Sequence, residues 1–580
     1  MTKRNLGNYY SAFLSIPSIL YKSNLAMQKI ALSLLSAIFF LTTSLFAKEE
    51  PICGAIASGH PLATRAGLEI LEKGGNAFDA AIAVASTLNV VEPAMSGLGG
   101  YGSTLIYDTQ KREIRYLNSS GKFPANANSD LMRAPTANYL ENRKGAKSIC
   151  TPGNLNAWQE MHAQYGQTPW KALFEKAIHY AKKGFPLPSY MAKLIASSFD
   201  EFPAYPKSFY GKEGRPLQEG EILIQQDLAK TYELIASQGA DPFYKGEIAQ
   251  RIDRQMKELG SFLSIEDLHA DVAEWWDPLK LTYKGYDVYT MGTPGNGFSA
   301  LFTLGVMEQF PLQSWSPDSP EYLHVLIEVL KESCKVRLTH SGSPEERDNI
   351  VNRILTPATF LSIAHAIDRQ KASPFDLQGG KEGLNTTHFV VVDRWGNIVS
   401  STQTLGLGFG SKVMIEGTGI WMNNSMAFST FEPKGNPMDV IPGKYKLSSN
   451  SPIIILKDGL PWAALGTPGG HTIPQNVAQI IFNLIDFKMT MQEAIDAPKL
   501  AFFEESQMVC TEKEIPSSTL SSLQARGHQI DNEQIASYIG LNRKIGNAMG
   551  IKLFHHQDGM SFDIGVDKRK DAWTTQLPEE

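Results

Sequence analysis

The sequence predicts a layered α/β protein, on three observations. Strongly apolar helical segments stand toward both ends of the chain, "NAFDAAIAVASTLNVV" from Asn76 and "IPQNVAQIIFNLIDF" from Ile473. Strand–turn–strand patterns recur from the middle of the chain onward, among them "LKLTYKGYDVYT" around Lys284-Gly285 and "IIILKDGLPWAALG" around Asp458-Gly459. No stretch repeats at a fixed period, which sets solenoids aside. Helices and antiparallel strand pairs in one chain each need a partner for their apolar face, and they find it by stacking in layers.

Taken in chain order, the first element is a leader. Between Lys29 and Lys48 lies "IALSLLSAIFFLTTSLFA", a charged start, an apolar run and small residues at Ser44 to Ala47. This is the pattern of an export signal, so residues 1–47 are expected to be removed and the mature chain to be periplasmic or secreted. An uncleaved anchor is the alternative, because the run approaches the ~18–20 residues that span a bilayer. Met27 is a natural start for such a signal.

Next comes "HPLATRAGLEILEKGGNAFDAAIAVASTLNVVEP", two helices parted by Gly74-Gly75. Asn76 with Asp79 three residues on resembles a capping box, and the second helix is apolar enough to be buried on all sides. "SGLGGYGSTLIYD" then leads into a strand. A phosphate-binding glycine loop would follow a strand and open a helix, so these glycines mark a close approach of backbone to another element. Helices are expected from Thr151 to about Leu194, between Asp227 and Leu268, and over "GFSALFTLGVMEQF". The polar stretch "DRQKASPFDLQGGKEGLN" reads as an exposed segment before the hairpin "NTTHFVVVDRWGNIVSSTQTL".

Composition narrows the function. With 42% hydrophobic and 20% charged residues and a net charge of −6 over 580 residues, the chain is globular and lacks the basic surface that binds nucleic acid. Four cysteines, Cys53, Cys150, Cys334 and Cys510, are too widely spaced for a CxxC site. They form up to two disulfides or stay as buried thiols. Ser119-Ser120-Gly121-Lys122 satisfies S-x-x-K, but its KTG and SDN companions are missing. His555-His556 has no further ligand at metal spacing beside it, and no metal or cofactor is expected.

The chemistry is concentrated in the hairpin. With the turn centred on Trp395, Thr386 lies opposite Thr404, and their Cβ atoms stand roughly 4.5–5.5 Å apart. A threonine becomes a nucleophile when its own free α-amino group takes its proton. That requires Thr386 to become an N-terminus, which it does if it attacks the carbonyl of Asn385, forms an ester and is released by hydrolysis. Thr404 then orients the Thr386 hydroxyl. Paired strand threonines placed for β-propensity are the plain alternative.

Nearly the whole mature chain resembles the γ-glutamyltranspeptidase (glutathione hydrolase) family of the N-terminal nucleophile hydrolases. The matching stretches are "ASGHPLATRAGLEILEKGGNAFDAAIA", "VVEPAMSGLGGYG", "TPGNLNAWQEMHAQYG", "TTHFVVVDRWGNIVSSTQTL", "GTGIWMNN", "LSSNSP" and "GTPGG". The resemblance implies a four-layer αββα sandwich and a proenzyme that cuts itself between Asn385 and Thr386. It implies a heterodimer of a large subunit, residues 48–385, and a small one, residues 386–580. By the same resemblance Thr386 is the nucleophile, Thr404 its supporting threonine, Gly469 and Gly470 the oxyanion pair, and Ser448 and Ser449 the carboxylate-holding serines.

Other recognition positions depart from the family. Ser120 stands where an arginine is usual, leaving Lys122 as the nearby cation. Ala427 and Phe428 replace an acidic pair, Gly406 replaces an asparagine, and the segment from Phe428 to Lys446 is short. The expected reaction is cleavage of a small γ-glutamyl amide through an acyl-threonine, with transfer to water or to an amino acid or peptide acceptor. Loss of the charged partners points to weak action on glutathione and favours an acylase-type amide substrate as the alternative. A non-catalytic binding protein on this fold is the third reading.

Overall fold

The computed structural model describes residues 54–567, apart from 134–142, 294, 341–346, 378–384, 430, 432–433, 437–438, 446–447, 449, 513, 532–544 and 558. The leader, Cys53, Ser449 and the last residues before Asn385 lie outside the described residues.

Two six-stranded antiparallel sheets carry the fold. The first contains β1 (Gly54–Ser58), β2 (Tyr101–Asp108), β3 (Glu113–Ser119), β4 (Glu274–Trp276), β7 (Thr387–Asp393) and β8 (Ile398–Thr404). The second contains β5 (Leu279–Tyr283), β6 (Tyr286–Thr290), β9 (Ile453–Lys457), β10 (Leu460–Gly466), β11 (Met549–His556) and β12 (Gly559–Val566). In space the orders are β1-β7-β8-β2-β3-β4 and β12-β11-β10-β9-β6-β5.

Side-chain alternation along these strands builds four layers. Ile56, Ile106, Phe389 and Val391 pack with helices α1 (Pro61–Glu72), α2 (Ala77–Val91) and α3 (Asn154–Tyr165). Their strand neighbours Ala55, Ala57, Leu105, Tyr107, Val390 and Val392 point the other way, into a core shared with Ile454, Leu456 and Ala464 of the second sheet. Ile453, Ile455, Ala463 and Leu465 face outward again, onto α4 (Gly297–Met307), α5 (Pro320–His340) and α6 (Thr472–Ile485). Strands buried on both faces explain why "FVVV" and "IIIL" read as continuous apolar runs, since period-2 alternation in polarity needs one wet face. The order helix, sheet, sheet, helix is the αββα sandwich.

Local chemistry sets the elements as the sequence implied. Asn76 accepts from the Asp79 amide at 3.0 Å while the Asp79 carboxylate accepts from the Asn76 amide at 3.2 Å, closing the capping box of α2. Every residue of α2 is buried. The expected helical stretch after Thr151 is interrupted, by Gly166 and Pro169 and again by Gly184 and Pro188, into separate pieces. The polar segment before the hairpin is exposed over Asp368 to Lys371, yet Phe375 is buried against Phe502, ring centres 4.9 Å apart, so it is anchored rather than loose. Cys150, Cys334 and Cys510 lie in three different apolar clusters.

Candidate active site

The hairpin brings the two predicted threonines together. Strand β7 pairs with β8 in the register Thr387 to Gln403 and His388 to Thr402, which sets Thr386 across from Thr404 as the turn centred on Trp395 requires. The two hydroxyl oxygens are 3.2 Å apart, and both side chains are buried. Thr404 Oγ1 donates to the Asn385 carbonyl at 2.9 Å, and Thr386 Oγ1 reaches the same oxygen at 2.5 Å. Thr404 Oγ1 in turn accepts from the Gly406 amide at 2.8 Å. Thr404 therefore contacts both the Thr386 hydroxyl and the carbonyl of the residue before it.

The glycine-rich entry to β2 lets the first sheet close around this point. A Cβ on Gly100 would lie 2.5 Å from the Thr404 carbonyl oxygen, and one on Gly102 would lie 2.9 Å from that of Thr402. Backbone approach of this kind leaves no room for a side chain, so the glycines are set by the neighbouring strand.

The second sheet delivers the loop after β10. Gly466 packs so closely on the His388 ring that an added Cβ would sit 2.2 Å from it. His388 is two residues from Thr386, so the loop from Thr467 to Gly470 leaves β10 at the end of the sandwich where Thr386 lies. Gly469 and Gly470 have φ of +141° and +57°. Their carbonyls accept from Thr472 and Ile473 at 3.1 Å, while among the described residues neither of their own N–H groups has an acceptor. Two successive free amides in such a turn form an anion-binding concavity. The Thr467 hydroxyl braces the loop, accepting from the Asn547 amide at 3.2 Å.

Ser448 arrives beside the same strand. Its hydroxyl accepts from the Asn450 amide at 3.2 Å, and the Asn450 side chain donates to the Thr402 carbonyl at 3.3 Å. Its own carbonyl accepts from Asn296 at 2.8 Å. Lys122 is placed away from the paired threonines. Its ammonium stands 3.8 Å from Glu274 and 4.6 Å from the Tyr445 ring centre, beyond β3 and two strands from Thr404. Ser120 is fully buried and donates to Asn118 at 2.7 Å. Ala427 is buried, and the half-buried Phe428 brings a ring carbon to 3.0 Å from where a Cβ on Gly406 would be.

Three groups here escaped the sequence reading. Glu92, buried at the C-terminus of α2, accepts from the Thr387 hydroxyl at 2.9 Å. His388 is buried and bonded through Nδ1 to Thr402 at 2.8 Å, and burial lowers its pKa to about 3, so it is neutral. Asn424 accepts from the Leu407 amide at 2.8 Å, just past Thr404. For Glu92 the available signal was a carboxylate directly after an apolar helix; Asn424 and His388 carry no local signal.

The γ-glutamyltranspeptidase family model matches residues 63–568, nearly all of the described chain. The chain belongs to the gamma-glutamyltranspeptidase family. It is 31% identical over 543 residues to the glutathione hydrolase proenzyme of Bacillus subtilis (strain 168), covering 90% of this chain and 91% of that one. It is 32% identical over 490 residues to the acylase ACY 1 proenzyme of Pseudomonas sp. (strain SE83), covering 82% and 87%. Among solved structures it matches the cephalosporin acylase of Bacillus halodurans with a TM-score of 0.80 at 28% identity, over 91% of this chain and 97% of that one. As a transpeptidase-family member it is an enzyme, a self-processing amidohydrolase with the N-terminal nucleophile hydrolase fold.

Proposed function

We propose that Thr386 is first the agent of its own release and then the nucleophile that cleaves an amide such as a γ-glutamyl bond. The observation that carries this reading is the Thr386–Thr404–Asn385 arrangement. In the uncut chain Thr386 Oγ1 attacks the Asn385 carbonyl carbon, the peptide C–N bond breaks, and an ester joins Asn385 to the threonine oxygen. Water hydrolyses that ester, leaving the Asn385 carboxylate and a free Thr386 α-amine. In turnover this amine takes the Oγ1 proton as Oγ1 attacks the substrate carbonyl, and gives it to the departing amine nitrogen. The amides of Gly469 and Gly470 receive the negative oxygen of each tetrahedral intermediate. Water then releases the acid, or an amino acid or peptide amine takes the acyl group.

Ser448 and Ser449 hold the substrate carboxylate in this reading. The leader directs export, and the cut pieces remain together as a heterodimer. N-terminal sequencing of the smaller fragment tests the first step: Thr386 is expected, and a single uncut chain would overturn it.

A second reading, an acylase with a donor other than glutathione, is favoured by the burial of Ala427 and the placement of Phe428 against Gly406. An apolar wall there cannot pair with a substrate ammonium, which would remain an unpaired charge in the pocket. Glutaryl and plain acyl amides are then hydrolysed with a higher kcat/KM than γ-glutamyl amides. A clear preference for glutathione would exclude this reading.

A further inference from the structure

We infer that Asn424 is a positioning residue for the reaction, holding the turn after β8 so that a backbone amide aligns the Thr404 hydroxyl. The inference rests on the role proposed for Thr404 and extends it to a residue outside the hairpin.

A threonine hydroxyl has one proton to give and two lone pairs to receive. At Thr404 all three are used: the oxygen accepts from the Gly406 amide at 2.8 Å and from Thr386 at 3.2 Å, and its proton goes to the Asn385 carbonyl at 2.9 Å. The Gly406 amide is the fixed member of this set, since it belongs to the backbone and decides which way the proton is left to point. Its direction depends on the turn. Gly406 has φ of +101°, a region that side-chain-bearing residues avoid.

Asn424 keeps the turn in that shape. Its Oδ1 accepts from the Leu407 amide at 2.8 Å, and its backbone amide donates to the Leu405 carbonyl at 2.9 Å, so it grips the chain on both sides of Gly406. Its Nδ2 donates to the Arg143 carbonyl at 2.7 Å, which fixes the orientation of the carboxamide. The side chain is fully buried, and a Cβ on Gly406 would come within 2.2 Å of its Oδ1. Glycine at 406 and asparagine at 424 therefore fill one space between them. The neighbouring Asn423 serves another purpose, bridging the carbonyls of Gly99 and Cys150.

The test compares Asn424→Ala, Asn424→Asp and the parent, all as full-length protein. Two quantities are read: the first-order rate of self-cleavage, and kcat and KM of the cut enzyme on γ-glutamyl p-nitroanilide. Loss of the Leu407 acceptor in Asn424→Ala is expected to slow self-cleavage about ten- to a hundredfold and to lower kcat with KM nearly unchanged. Asn424→Asp keeps an acceptor for Leu407 but sets a second oxygen against the Arg143 carbonyl that Nδ2 had donated to at 2.7 Å, so it is expected to recover part of the rate, and more of it at lower pH, where the protonated carboxyl donates in that place. Parent-like cleavage and kcat in Asn424→Ala would overturn the inference, and so would an equal loss in both variants, because that pattern marks a merely structural residue. A parent chain that never yields a Thr386 N-terminus would instead overturn the proposed function.

Discussion

In the proposed reaction Thr386 and Thr404 have separable tasks, because one supplies the attacking oxygen and the other donates to the carbonyl it attacks. Thr386→Ala is expected to leave a folded, single chain on a denaturing gel with no turnover. Thr404→Ala keeps the nucleophile but loses a donor to the scissile carbonyl, and self-cleavage slows about a hundredfold or more, as when one oxyanion donor is removed. His388 makes a prediction of another kind. Its pKa is about 3 in the fold against 6.5 when exposed, because burial disfavours the imidazolium. A depressed pKa contributes stability that is complete above pH 6.5 and lost as pH falls toward 3. Across that window His388 alone costs about 1.4 kcal/mol per pH unit. Urea unfolding of His388→Gln between pH 6.5 and 4.5 is expected to show a pH slope shallower by that amount, whatever its stability at neutral pH; an unchanged slope would refute the assignment.

At the scale of elements, caps and close approaches do different work. The Asn76–Asp79 box terminates backbone groups at the start of α2, so Asn76→Ala is expected to cost about 1–2 kcal/mol in denaturant unfolding while self-cleavage proceeds normally. Gly100→Ala meets a backbone oxygen, that of Thr404, at 2.5 Å, and neither partner is a flexible side chain that can swing away. It is expected to displace the end of β8 and to slow self-cleavage much more than its effect on stability would suggest, which a time course on gels measures. The capping box was legible because its two residues are three apart in one helix. The purpose of Gly100 was legible only as a close approach of some kind, since its partner is Thr404, hundreds of positions away in the chain.

For the whole molecule, the sheet order decides what cutting the chain can do. In the first sheet β1 and β2 come from before Asn385 and flank β7 and β8, which come after it; in the second, β5 and β6 join β9 to β12 in the same way. Both cores therefore span the proposed cut before Thr386, and neither resulting piece would have a complete sheet of its own. The cut enzyme is expected to run as one species in gel filtration and to part into two fragments, one of them residues 386–580, only under denaturing conditions. Separate elution of the fragments in native buffer would contradict this. The sequence by itself determined the hairpin register, the paired threonines, the helix cap and the layered class, because strand period, turn position and capping are all local relations. Only the tertiary structure decided that the amides of Gly469 and Gly470 are unengaged among the described residues, that Lys122 faces Glu274, and that Asn424 shares its space with Gly406. Those relations join residues through packing between strands and loops distant in sequence, where no periodicity of the chain records them.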